Sequence, residues 1–224
     1  AKGYALSLRK DGVGMVRLVS REGASVDITP EDAGGLVHLG ANHNWDADDV
    51  TVIMESFLHP SVWWDVTFDG ERTERHRNHV LNIDYSRYVI ERMWVPRSDG
   101  VSVPVDLLRS ITTPLDGTAP CVLYGYGSYE ASCDPDWGID WWRSVPSLLD
   151  RGVVFAIGHP RGGGEMGRSW YDGGHMKTKV NTFDDQAAVG DFLLDGRVSA
   201  IVTRGLSAGG LLQGALYGRR PELW

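Results

Sequence analysis

A chain of 224 residues, 42% hydrophobic and 23% charged, has room for one or two globular domains with a sizeable core. Its 30 acidic against 22 basic side chains give a net charge of −8, which excludes the basic surface that nucleic-acid phosphates require. No apolar run approaches the ~20 residues of a membrane span, so no membrane partner is expected. The first residues carry no signal-peptide core and read as a chain beginning inside a strand. Cys121 and Cys133 form neither a CxxC pair nor a zinc-ligand set. No metal and no cofactor is therefore expected, and two unpaired cysteines suit a reducing cytoplasm.

Up to about Arg87 the pattern is one of short strands and turns. Gly3 to Arg9, Gly14 to Ser20, Val50 to Phe57 and Val62 to Phe68 are β-rich runs with partial alternation. Glu22-Gly23 and Asp69-Gly70 mark tight turns, separated by roughly the ~40–50 residues of one propeller blade. Glu71 to His79 is rich in charge and is expected to be a surface loop. Neighbouring tryptophans such as Trp63-Trp64 point to opposite sides of a strand, which favours core filling over a carbohydrate-stacking surface.

After Ser86 the pattern changes. Tyr88 to Val95 and Val101 to Leu108 read as two strands joined at Asp99-Gly100, and Cys121 to Tyr124 as a buried strand entering a Gly-rich loop. Trp141 to Asp150 is helical in pattern and ends at Arg151-Gly152, before a buried strand over Val153 to Ile157. Thr182 is expected to cap a helix with an apolar stripe of Phe183, Ala187, Phe192 and Leu193. Ala200 to Thr203 is a further buried strand, and Leu211 to Tyr217 a further helix. Strands alternating with helices predict an α/β domain with a mainly parallel sheet.

Between the last strand and helix stands Gly205-Leu206-Ser207-Ala208-Gly209, a G-x-S-x-G in the strand-to-helix setting that a nucleophile elbow needs. The serine of such a turn projects its Oγ out of the sheet, and side chains two positions to either side would collide. The helix that follows aims free N–H groups at the reacting centre, so the Ala208 amide is placed to receive an oxyanion.

Several blocks together resemble the prolyl oligopeptidase family, a family of serine peptidases. They are Leu123 to Tyr129, Arg161 to Glu165, Asn181 to Asp185, Ser207 to Gly210 and Arg220 to Leu223. The Ser-Ala-Gly-Gly form and the Ala131 to Asp136 segment are most similar to its oligopeptidase B branch. The resemblance implies an α/β hydrolase preceded by the last blades of a β-propeller. Residues 1–85 would be the C-terminal part of the propeller, and 86–224 the N-terminal part of the catalytic domain. It also implies Ser207 as nucleophile, Tyr126 with the Ala208 amide as oxyanion hole, and Tyr129, Asp134 and Asp136 as substrate-binding residues. Outside that resemblance, Tyr126 reads as a packed loop tyrosine, and the two aspartates equally as a solvated loop. Arg161 and Glu165 are expected to orient loops by ion pairing.

The chain departs from the family in one respect. Hydrolase triads run Ser, then Asp or Glu, then His along the chain. Beyond Ser207 this sequence has no histidine and one carboxylate side chain, Glu222. His159 and His175 precede the serine and read as loop residues. The expectation is therefore a fragment that lacks its general base and is inert alone, its partner being the missing C-terminal segment of the same protein. The whole would be an oligopeptidase cleaving short peptides after Arg or Lys through an acyl-enzyme on Ser207. An esterase or acylaminoacyl-type hydrolase, and a non-catalytic binding module, are the alternatives.

Overall fold

The computed structural model describes residues 2–79, 83–135 and 145–224. Asp136, Trp141 and Trp142 lie outside the described residues. The chain divides into two compact units, one built on the chain up to Ile83 with the segment from Asp134, the other on Asp84–Cys133 and the remainder to Trp224.

The described elements of the first unit are all strands. β1 (Gly3–Lys10), β2 (Val13–Ser20) and β3 (Ser25–Ile28) form one antiparallel sheet. β4 (Gly35–Leu39), β5 (Asp49–Ser56), β6 (Val62–Thr67) and β7 (Arg72–Arg77) form a second, ordered as in the chain. Asp11 (φ 52°) and Gly12 (φ 78°) close the first hairpin in the left-handed conformation that a two-residue loop demands. Val16, Leu18, Ile28, Val37, Val50, Val52 and Val66 form a single apolar cluster. Successive antiparallel meanders of this size are consistent with propeller blades. Trp64 packs against that cluster, whereas Trp63 sits against His76 with ring centroids 5.3 Å apart.

One expectation fails in this unit. The charged segment after Glu71 is not a loop, because Arg72–Arg77 is a paired strand with every side chain exposed. The ladder is made by backbone groups, so charged side chains do not prevent it, and on an edge strand they discourage further pairing.

In the second unit β8 (Tyr88–Pro96) and β9 (Ser102–Ser110) form a hairpin turning at Gly100. There follow β10 (Pro120–Gly125), α1 (Val145–Leu149), β11 (Val154–Gly158), α2 (Arg168–Asp172), α3 (Val180–Leu194), β12 (Ala200–Arg204) and α4 (Ala208–Arg219). The sheet order is β12-β10-β11-β9-β8. The expected parallel pairing holds for β12, β10 and β11, but β9 runs antiparallel to β11, and β8 to β9. The short β8–β9 turn forces the last pairing, since a parallel neighbour would need a long crossover. Leu107, Leu123, Val154, Ala156, Val189, Leu193 and Ile201 share one core.

Thr182 is not the cap of α3, which begins at Val180. It is fully buried, and its hydroxyl donates to Arg161 O at 2.6 Å. The buried face of α3 carries Thr182, Asp185, Gln186, Val189 and Leu193, while Phe183 and Phe192 are only half-buried. The expected stripe of Phe183, Ala187, Phe192 and Leu193 does pack on apolar clusters, but it misses the polar part of the buried face, Thr182, Asp185 and Gln186, which meets loop residues and strand ends.

Candidate active site

Ser207 lies between the end of β12 and the start of α4, exposed, with φ 54° and ψ −119°. A non-glycine residue held there costs roughly 1–3 kcal/mol, which the surrounding packing must offset. The flanking glycines show why. A Cβ on Gly205 would lie 2.2 Å from Gly209 O, and one on Gly209 would lie 2.7 Å from Gly125 O. Strand end, helix start and the loop leaving β10 therefore meet at distances that only glycine permits. Ala208 opens α4, whose first amides have no acceptor within the helix.

The same close approach brings Tyr126 to the elbow. It follows β10 directly and is half-buried, and a Cβ on Gly209 would meet its ring Cδ2 at 3.5 Å. Ser207, Ala208 and Tyr126 thus converge on one end of the sheet. A hydroxyl nucleophile, a helix-terminal amide and a phenol together have the composition needed to attack a carbonyl and receive the resulting oxyanion.

The residues expected to bind substrate are arranged differently. Tyr129 is 76% exposed with φ 60°. Asp134 belongs to the N-terminal unit and is already engaged by Arg9, whose Nη1 donates to Oδ1 at 2.9 Å and Nη2 to Oδ2. The carboxylate expected to meet a basic substrate side chain meets one from this chain. Asp136 is not described.

Arg161 and Glu165 organise the loops around the site. Arg161 grips buried Asp185 from Nε (2.8 Å) and Nη2 (2.7 Å) and also pairs with Asp99. Hydrogen bonding to Asp185 raises its already high pKa further. Glu165 accepts from the Cys133 amide at 2.9 Å and from His159 Nδ1 at 3.3 Å. His159 lies in the loop after β11, as expected, but it is buried, being 2% exposed with its Nε2 donating to Asp106 Oδ2 at 2.9 Å. Burial alone would lower its pKa, but the hydrogen bonds to Asp106 and Glu165 outweigh that and raise it to about 9. At neutral pH both ring nitrogens carry protons and both donate, so His159 cannot accept a proton from Ser207. His175 is exposed and stacked on Tyr171 at 4.5 Å.

Sequence reasoning missed Gln186, which sits over the ends of two adjacent strands. Gly125 and Gly158 are register partners on β10 and β11, and a Cβ on either would strike the Gln186 amide. Glycines closing both strands were the available signal. Among the described residues no cluster of His, Cys, Asp and Glu has the makings of a metal site.

A family model for the prolyl oligopeptidase family matches residues 140–224. Dipeptidyl aminopeptidase BI of Pseudoxanthomonas mexicana is 38% identical over 219 residues, covering 96% of this chain and 30% of that protein. Protease 2 of Moraxella lacunata is 34% identical over 221 residues, covering 96% of this chain and 31% of that one. The structure of oligopeptidase B from Leishmania major superposes with a TM-score of 0.87 at 30% identity, over 100% of this chain and 33% of that one. The chain spans about a third of the length of these relatives. With a nucleophile-type elbow in the segment that the family model matches, the chain belongs to the prolyl oligopeptidase family.

Proposed function

We propose that the protein carrying this sequence is a serine oligopeptidase that cleaves short peptides through an acyl-enzyme on Ser207. The observation that carries this reading is Ser207 at positive φ between β12 and α4, with Tyr126 packed on Gly209. In this reading residues 1–85 are the end of a β-propeller and 86–224 the beginning of an α/β-hydrolase domain. Ser207 Oγ attacks the scissile carbonyl as a base removes its proton. The oxyanion is received by the Ala208 amide and the Tyr126 hydroxyl, and its collapse expels the amine and leaves an ester. Water then releases the acid.

Glu222, the one carboxylate after Ser207, is tied to Arg220 at the surface, so the base and its orienting acid come from a segment outside this sequence. Cleavage after Arg or Lys rests on the likeness to oligopeptidase B, with Tyr129, Asp134 and Asp136 on the substrate side. Asp134 can serve there only by sharing or releasing Arg9. A cytoplasmic setting rests on two buried free cysteines, and no helix among the described residues is long and apolar enough to cross a membrane.

The name of the 38% identical relative favours a second specificity, removal of dipeptides from a free N-terminus. Hydrolysis of an N-blocked arginyl amide, a free dipeptidyl amide and an arginyl ester by the full-length protein separates the readings. Turnover of the blocked amide, reduced ~10⁴-fold or more by Ser207→Ala, is expected for the oligopeptidase. Turnover confined to the free dipeptidyl amide supports the second reading, and turnover confined to the ester sinks both. The 224-residue chain alone should show no Ser207-dependent hydrolysis, and such hydrolysis would send the search for a base back to His175.

A further inference from the structure

The loop leaving β10 is bent in a way that its own sequence does not favour. Gly127 (φ 62°), Tyr129 (φ 60°) and Glu130 (φ 57°) are all left-handed, and two of them are not glycine. Such a run persists only when its surroundings hold it. The surroundings include one face of α3 and the residue just before it. Lys179, Thr182 and Gln186 follow one another at helical spacing of three and four, so they share a face. Gln186 Nε2 donates to Tyr124 O at 3.1 Å. Thr182 Cγ2 would lie 2.5 Å from a Cβ on Gly127. Lys179 Nζ donates to Gly127 O at 2.5 Å and to Ser128 Oγ at 2.7 Å. Tyr126 stands between the residues these contacts hold.

Lys179 is an expensive choice for that position. It is half-buried, burial holds its pKa below the usual lysine value, and it sits at a helix start, where the dipole repels a cation. Among the described residues no carboxylate pairs with it. Its two loop contacts are what the position gains.

We propose that Lys179 is a positioning residue, its ammonium pinning Gly127 and Ser128 so that the Tyr126 phenol is held for the oxyanion. The proposal rests on the reading of Ser207 and Tyr126 given above. A donor held slightly out of place is lost mainly in the transition state, so kcat should suffer and KM should not.

The test is a double-mutant cycle in the full-length protein with a peptide-amide substrate. Lys179→Met keeps the aliphatic stem and removes the donors. It should lower kcat by roughly 10- to 100-fold with KM changed less than about threefold. In a Tyr126→Phe background the same substitution should change kcat by less than about threefold, because the donor it positions is already gone. Lys179→Arg should restore kcat to within about fivefold of wild type. Should Lys179→Met fail to fold, Ser128→Ala removes one of the two contacts and should give a smaller kcat loss, again absent in the Tyr126→Phe background. A wild-type kcat in Lys179→Met, or an equal loss with and without the Tyr126 hydroxyl, overturns the proposal. A wild-type kcat in Tyr126→Phe alone sinks the oxyanion assignment, and this proposal with it. Ser207→Ala with full activity sinks the peptidase reading itself, so the failures are distinguishable.

Discussion

In the N-terminal unit several ion pairs lie outside, and the most enclosed Arg–Asp pair, Arg9 with Asp134, keeps more than a quarter of each side chain exposed. Arg17 pairs with Asp27 and Arg77 with Glu74, each side chain at least 40% exposed, over an interior of valine, leucine and isoleucine. In the C-terminal unit Asp106, His159, Glu165 and Asp185 are each no more than 2% exposed and are bound into networks with Arg92 and Arg161. The first unit holds its strands by apolar burial, and its described charged residues are exposed or half-buried. The second takes charge inside to fix the loops around a strained serine. Buried pairs contribute little net stability relative to apolar packing, but losing one partner is severe. The difference teaches where each unit is vulnerable.

The largest expected effect comes from Arg161→Ala, which takes two charge-assisted hydrogen bonds from buried Asp185 and leaves it Arg97 Nε at 3.1 Å and the residue 161 amide at 3.0 Å. Denaturant unfolding should show a loss of about 3–5 kcal/mol. A loss below about 1 kcal/mol would mean that the network is ornamental and the comparison false.

Next is the response to pH. The folded-state pKa of His159 is raised to about 9. A raised histidine stabilises fully below its unfolded value of about 6.5 and loses that contribution as pH climbs to the folded value. Stability should therefore fall by on the order of 3 kcal/mol between about pH 6.5 and 9. His159→Gln should flatten that slope, and an unchanged slope would assign it to other groups.

Val52→Ala, at a fully buried position of β5, should cost about 2 kcal/mol with no new pH dependence. A pH-dependent loss there would blur the contrast between the units. The smallest effect belongs to Asp27→Ala, which breaks an exposed pair and should leave the unfolding midpoint where it was. A clear downward shift would show that surface charge does support the first unit.

Local chemistry is legible in the sequence where neighbours along the chain set it. The alternation in Val13–Ser20, the apolar run in Val154–Gly158 and the two glycines flanking Ser207 follow from steric and burial rules that act over a few residues. That range was enough to place Ser207 at a strand-to-helix turn. Contacts between distant residues were not legible. Arg9 and Asp134 are 125 positions apart, and the pair removes a carboxylate that looks free in the sequence. His159 reads correctly as a loop histidine, but not as a buried one with Asp106 and Glu165 on its two nitrogens. The charged β7 reads as a loop because side chains do not report a backbone ladder, and Thr182 reads as a cap because nothing nearby says that Arg161 O will meet it. Sequence by itself determined the apolar strands and the strand-to-helix turn at Ser207, because sterics and hydrophobic period act locally. Only the tertiary structure decided the charge states and partners of the buried polar groups, because those depend on which distant residues desolvation brings together.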